Sequence, residues 1–308
     1  MKDRSLRFVL SVLVLTVIAG IAPAAPTQAA TPASPEVAAS AQDVEGSSAA
    51  SAPWLADRGP GMWTSIFATY VRSHELLLMP FVEGYYDNNT EYKPADLGYG
   101  LEQDFRGKFR AVENQIFLAY GLNDRFAAEL EAAFYSAARL EKAPNDPSSQ
   151  PDPLEQSGVG DWQMELDWRI AKETASRPEV FALVEVDPPS NVNKPLIGTS
   201  DWETKFGVGL MRGLSWGTVG GRVGAIYSAA DGSFSTGEYA VDYVKRVSPA
   251  WRLYGGIEGD QDEVELIGEA QWHFSPRSYL RFNVARGLSD KAVDWGPDVG
   301  WVFSFPPK

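Results

Sequence analysis

Residues 161–170, DWQMELDWRI, put Trp162, Met164, Leu166, Trp168 and Ile170 on one side of an extended chain and Asp161, Gln163, Glu165, Asp167 and Arg169 on the other. A helix would scatter the same residues around its axis, so the period of two fixes a strand. The pattern recurs. In EVELIGEAQWHF, residues 263–274, Val264, Leu266, Gly268, Ala270, Trp272 and Phe274 alternate with Glu263, Glu265, Ile267, Glu269, Gln271 and His273. In DWETKFGVGL, Trp202, Thr204, Phe206, Val208 and Leu210 oppose Glu203 and Lys205, and in YLRFNVAR, Leu280, Phe282 and Val284 oppose Arg281, Asn283 and Ala285. Strands of this kind suit a sheet packed on a dry core or a barrel whose apolar face meets lipid. Alternation alone leaves both open.

The connections separate the two. Twelve strands are expected, at about 75–86, 107–120, 125–138, 161–173, 178–187, 201–212, 216–228, 237–247, 251–259, 263–274, 278–287 and 295–305. Between them a long DNNTEYKPADLGYGLEQDF is followed by a tight GLND, the long EKAPNDPSSQPDPLEQSGVG by TASRP, and PPSNVNKPLIGTS by GLS, with the rhythm weaker thereafter. An up-and-down antiparallel barrel in an outer membrane sorts its loops in this way, with tight turns on one rim and longer loops on the other. A soluble sandwich has no reason to. Trp162, Trp202, Tyr227, Trp251, Trp272, Trp295 and Trp301 stand near the ends of apolar faces, where headgroup-level girdles are expected.

The first thirty of the 308 residues read as a secretory leader, with Lys2, Arg4 and Arg7 ahead of an apolar run and small residues suited to cleavage. No later run approaches the roughly 18 apolar residues of a spanning helix, so strands must do any crossing. Cysteine is absent, which excludes a disulfide scaffold and a lipidated-cysteine anchor. The formal net charge of −14 disfavours nucleic acid and anionic headgroups as partners. The expected organisation is a leader over 1–30, an Ala/Ser/Pro-rich flexible linker over 31–60, a short amphipathic segment over 61–74 with helical spacing slightly favoured, and an all-β barrel over 75–308. The N-terminus is expected on the periplasmic side, and assembly machinery and outer-membrane lipid are the expected partners.

Some faces are mixed. Leu77, Met79, Phe117, Phe181 and Leu183 share a face with acids, as if packed against an inward-folded loop or the N-terminal segment.

YGLNDRFAAELEAAF, SGVGDWQMELDWR, LIGTSDWETKFGVGLMRGLSWGT, GEYAVDYVKRVSPAWRLYGGIEG and DWGPDVGWVFSF together resemble Gram-negative outer-membrane β-barrels of the porin-like, phenol-degradation (MetA-pathway) type. The resemblance covers most of the chain from about Ser73. It implies an outer-membrane barrel with a passage function, adds hydrophobic or aromatic compounds to the solutes considered, and carries no catalytic residues. The terminal aromatic that such barrels present corresponds to Phe305, although Pro306, Pro307 and Lys308 follow it.

The polar faces supply the candidate lumen lining: Glu129, Glu131, Glu165, Asp167, Arg169, Glu203, Lys205, Arg222, Asp242, Glu263, Glu265, Glu269 and Arg281. Acids outnumber bases, which predicts a passage favouring cations or neutral polar solutes. The competing reading is that these charges pair across strands and fill a closed interior. Catalysis has little support, because His74 and His273 are the only histidines and neither adjoins a serine nucleophile motif. Asp260, Asp262 and Glu263 offer oxygen ligands without calcium-loop spacing and suit a solvated turn. GVGLMRG lies in a strand and lacks dinucleotide spacing, so Gly207 and Gly209 are expected to relieve crowding in the lumen. A passive, cofactor-free porin-like channel is thus expected. The alternatives are an outer-membrane barrel enzyme and a soluble periplasmic ligand-binding barrel with its apolar faces turned inward.

Overall fold

The computed structural model describes residues 52–230, 232–260 and 262–307. The expected leader and most of the expected linker lie outside the described residues.

Two short strands come first, β1 (Met62–Trp63) and β2 (Tyr70–Val71). The wall then runs through β3 (Leu76–Tyr92), β4 (Phe105–Gly121), β5 (Phe126–Glu141), β6 (Leu154–Gly158), β7 (Trp162–Ala171), β8 (Glu179–Asp187) and β9 (Glu203–Leu214). It continues through β10 (Gly217–Ser228), β11 (Ser233–Arg246), β12 (Trp251–Asp260), β13 (Glu263–Ser275), β14 (Ser278–Gly287) and β15 (Trp295–Phe305). Both β6 and β7 pair with β5, so they form one stave interrupted over 159–161. The wall therefore has twelve staves, each antiparallel to its neighbours, and β15 pairs with β3 to close it. Closure removes the sheet edges that would otherwise expose unpaired backbone groups.

The alternation dictates which side faces out. Met164, Leu166, Trp168 and Ile170 on β7, Phe206, Val208 and Leu210 on β9, and Leu266, Trp272 and Phe274 on β13 are all exposed on the exterior. The acids between them are buried or half-buried inside. An apolar exterior of this extent around a polar interior is the surface of a barrel in lipid rather than in water. It is also opposite to a soluble barrel with apolar faces turned inward.

Aromatic rings gather at both ends of this band. Toward the tight-turn rim, Trp251 stacks on Trp272, Trp272 meets Phe274, and Phe274 meets Trp301, with centroid separations of 5.5–6.3 Å. Toward the opposite rim, Phe234 contacts Phe206 and Tyr227. Two girdles are thus in place where headgroups would lie.

The segment preceding the wall differs from the expectation. Residues 61–74 form no helix: β1 and β2 pair as a hairpin, Met62 with Val71 and Trp63 with Tyr70. The buried Thr64 hydroxyl donates to the carbonyls of Ile66 and Thr69 at 3.1 and 3.0 Å, a local bond that competes with helix formation. Described residues 52–60, at the end of the expected linker, are also held in place. Pro53–Leu55 forms a 3-10 turn, and Arg58 is fully buried. This whole segment sits inside the barrel at the tight-turn end.

Two smaller departures have local causes. A bulge between β4 and β5 leaves Phe134 and Tyr135 both exposed, so inward positions on β5 shift from odd numbers to Ser136, Ala138 and Leu140. The β8–β9 connection covers the interruption in β6–β7: Lys194 donates to the Ser157 carbonyl, Gln156 accepts from the Leu196 amide, and Leu196 and Ile197 reach the interior.

Candidate functional site

The lumen has two zones. In the tight-turn half, residues 52–74 act as a plug against inward faces that turn apolar to receive it. Met62, Ile66 and Val71 pack on Leu77, Met79, Phe81, Phe117 and Ala119. Trp63 stacks on Phe181 at 5.0 Å, and Phe67 packs on Tyr254. The mixed faces noted in the sequence are therefore the plug's seat.

Charge fixes the plug in register. Arg58 donates to Glu173 at 3.2 Å and Glu179 at 3.0 Å, and Arg169 reaches Glu179 at 3.1 Å and the Gly61 carbonyl at 2.6 Å. Burial works against the charge on Arg58, but Glu179, Glu173 and Tyr70 outweigh it and hold its pKa above the usual value. Asp57 accepts from the Arg246 amide and pairs with Lys245 at 3.3 Å. At the plug tip Ala68 takes a left-handed φ of 47°, and its carbonyl accepts from Arg252 and Gln271 at 2.9 and 3.2 Å. Those two buried donors compensate a conformation that disfavours a Cβ. Two wall glycines let the plug's backbone come close, since a side chain at Gly121 would strike Arg72 and one at Gly213 would strike Trp54.

Above the plug lies a cavity open to solvent at its mouth. Trp63, Ser65 and Ile66 of the plug contribute to its lining, and acids from most of the staves supply the wall. The register lines these acids up across strands: Glu113 faces Glu83, Glu83 faces Asp298, Glu129 faces Glu165, Glu165 faces Glu185, and Glu185 faces Lys205. Like charges directly opposite each other cost stability, so the lining is not an ordinary cross-strand ladder.

Bases answer part of this charge. Lys205 lies 2.5 Å from Glu185 and 3.8 Å from both Asp187 and Glu238. Arg222 lies 2.8 Å from Glu258, 3.2 Å from Glu238 and 3.9 Å from Asp242, while its guanidinium covers the rings of Trp63 and Phe67. The fully buried Arg281 binds Glu269 at 2.7 Å and Asp298 at 3.1 Å, and Asn283 and Gln271 complete the shell of Glu269.

Of the residues expected to line the lumen, Glu131, Glu165, Lys205, Arg222 and Arg281 border the cavity. Asp242 is tied to the Tyr254 hydroxyl at 2.6 Å. Glu129 and Asp167 join Glu165 in one cluster, with one carboxylate oxygen from each within 4.8 Å of the others. Arg169 belongs to the plug's seat rather than to the open lumen. Glu203, Glu263 and Glu265 lie toward the long-loop rim, Glu203 opposite Asp187, Glu263 opposite Asp260 and Glu265 opposite Glu258.

Sequence reasoning missed Arg58, Ser65, Glu173 and Glu179, which only the fold brings to the lumen. It also passed over Glu238 and Asp298, although each falls at period two on an inward face. The glycine reading holds: a side chain at Gly207 would strike Leu183 and one at Gly209 would strike Phe181.

The remaining motifs resolve blandly. His273 shares a 3.1 Å hydrogen bond with Gln271 and stacks on Tyr279 at 4.4 Å, with no serine hydroxyl in the arrangement. His74 occupies a turn with φ 58°, its amide bonded to the Gly121 carbonyl. Asp262 pairs with Lys291 at 2.9 Å across the rim.

No protein-family model matches the chain, and no curated protein does. Among solved structures, it is similar to the COG4313 outer membrane channel from Pseudomonas putida F1, with TM-score 0.53 and 16% identity over 76% of this chain and 97% of that one. The translocator domain of the autotransporter NalP from Neisseria meningitidis follows at TM-score 0.43 and 11% identity, covering 75% of this chain and 88% of that one. The CymD monoaromatic hydrocarbon channel has TM-score 0.40 and 11% identity, covering 77% and 90%. The likeness to the first of these is one of fold.

Proposed function

We propose that this protein is an outer-membrane channel for small cationic or neutral polar solutes, with its N-terminal segment held as a plug that narrows the passage. The observation that carries the reading is the excess of inward carboxylates above the plug. Glu83, Glu113, Glu131, Glu165, Glu185, Asp187, Glu238 and Asp298 border one cavity with only Lys205, Arg222 and Arg281 as bases. Carboxylates lining a constriction favour cations, because the low-dielectric wall strengthens their field. The fold of an outer-membrane channel and the apolar exterior support the membrane setting.

A second solute class has an observation in its favour. Phe81, Phe109, Leu183, Leu196 and Ile197 border the same cavity, so a solute with an aromatic body and a positive or polar group matches both halves of the lining. Neither reading involves a catalytic group.

Proteoliposome uptake tests the proposal. Small organic cations and neutral polar solutes are expected to enter faster than anions of equal size. Equal rates for all charges, or faster anions, would refute it. Recovery of the protein in the aqueous periplasm without detergent would remove the membrane setting altogether.

A further inference from the structure

We propose that Glu129, Glu165 and Asp167 form a binding site for one hard divalent cation of the calcium class, placed so that the cation joins the plug to the barrel wall. The channel reading is not a premise of this site.

The geometry is that of a ligand set. One oxygen from each carboxylate lies within 4.8 Å of the others. Oxygens bound to a common calcium at roughly 2.3–2.6 Å stand at most about 4.6–5.2 Å apart, so one ion can touch all three without backbone movement. The positions are rigid: Glu129 on β5 faces Glu165 on β7 directly, and Asp167 is two residues along the same inward face, opposite Ala127.

The second observation is the state of the oxygens. Asp167 is only 2% exposed, yet among the described residues its carboxylate oxygens have no hydrogen-bond donor from outside the cluster, and its close neighbours are the carboxylates of Glu129 and Glu165. One oxygen of Glu129 and one of Glu165 are buried in the same condition. Buried carboxylates are otherwise paired or coordinated. The nearby bases are committed elsewhere: Arg169 to Glu179 and Gly61, Arg222 to Glu238 and Glu258, Lys205 to Glu185. Two other inward acids show the contrast, whereas Glu83 and Asp298 each leave a single oxygen without a donor. Glu113 accepts from Ser136 and Gln115, and Glu269 from Arg281, Gln271 and Asn283.

The plug reaches the cluster at one residue. Ser65 donates both its amide and its hydroxyl to the second oxygen of Glu129. That bond fixes the Glu129 carboxylate and leaves its other oxygen for the cation. A bound ion would therefore tie Ser65 of the plug, through Glu129, to Glu165 and Asp167 on the neighbouring stave. Three carboxylates on rigid strands favour calcium or a lanthanide surrogate over a metal that prefers nitrogen or sulfur.

The competing account is a proton shared within the cluster, and the experiment separates the two. Calcium is titrated calorimetrically into the detergent-solubilised full chain after chelator treatment, and thermal unfolding is followed with and without calcium at several pH values. The expected result is one calcium per chain, with Asp167→Asn and Glu165→Gln each weakening binding at least ~10-fold, Ser65→Ala several-fold, and Glu113→Gln leaving it unchanged. Calcium should also raise the wild-type Tm near neutral pH, a readout that needs no variant to fold. Absence of stoichiometric binding at millimolar calcium would overturn the proposal. So would binding undiminished in Asp167→Asn, or a Tm that answers to pH alone.

Discussion

The two zones of the lumen face the same interior and are built from the same staves, yet they solve opposite problems. In the tight-turn half, inward residues become apolar and each charge named there finds a partner, because a segment of protein fills the space. Arg58 between Glu173 and Glu179 is the pattern: a buried charge paired with two carboxylates. In the other half carboxylates face carboxylates across strands, and at the boundary with the plug four oxygens of Glu129, Glu165 and Asp167 have no donor from outside their cluster. Unanswered buried charge is expensive. On the proposed reading these carboxylates serve something positive, a passing solute or a resident ion.

The comparison can be broken most forcefully at the plug. Deleting residues 52–74 removes the filler and leaves Leu77, Met79 and Phe117 facing water. The remaining barrel should conduct several-fold more current in planar bilayers than the full chain. An unchanged conductance would mean that the plug does not limit the passage.

Next in size is Arg58→Ala, which takes the plug's guanidinium away from Glu173 and Glu179 and leaves them only their wall partners Arg212 and Arg169. Removing one partner of a buried ion pair costs about 3–5 kcal/mol. Hydrogen exchange over 52–74 should rise sharply while the wall strands remain protected. Gly209→Val is expected to be milder, at about 1–3 kcal/mol of overpacking, because the new side chain would meet the Phe181 ring against which Trp63 stacks. Protease nicking confined to the plug is the measurement for that variant.

In the open zone the effects are smaller and electrical. Glu131→Gln should shift the reversal potential toward neutrality and leave the stability unchanged within about 0.5 kcal/mol. On the lipid side, Trp272→Ala removes stacking with Trp251 and an edge-to-face contact with Phe274. A loss of about 0.5–1.5 kcal/mol is expected for each aromatic pair, read as a lowered temperature for the loss of heat-modifiable mobility on gels.

Much of this architecture is legible in the residues alone, for a physical reason. A strand between lipid and a polar lumen must alternate, so every expected stave corresponds to an observed one, and residues 162–170 assign their own faces. The mixed faces were legible as well: Leu77, Met79, Phe117, Phe181 and Leu183 signalled an inward-folded segment before its position was known. What stayed hidden is non-local. Nothing near Arg58 in the chain announces Glu173 and Glu179, which are more than a hundred residues away. The hairpin over 61–74 was masked because Trp63, Ile66, Phe67, Tyr70 and Val71 also fit helical spacing, and only the bonds of Thr64 and the seat in the wall choose between the two. The Glu129, Glu165 and Asp167 cluster needed the β5–β7 register, since alternation places each acid inward but does not say which acids meet.

Ion selectivity is the most direct test of the central claim that a closed barrel carries an acid-lined lumen narrowed by its own N-terminal segment. The purified full chain and the variant lacking residues 52–74 would be inserted into planar bilayers under a potassium chloride gradient, and the reversal potential recorded. A cation-selective potential in both, with the larger current in the truncated protein, is the predicted result. Anion selectivity, or no conductance from either protein once folding has been verified, would contradict it.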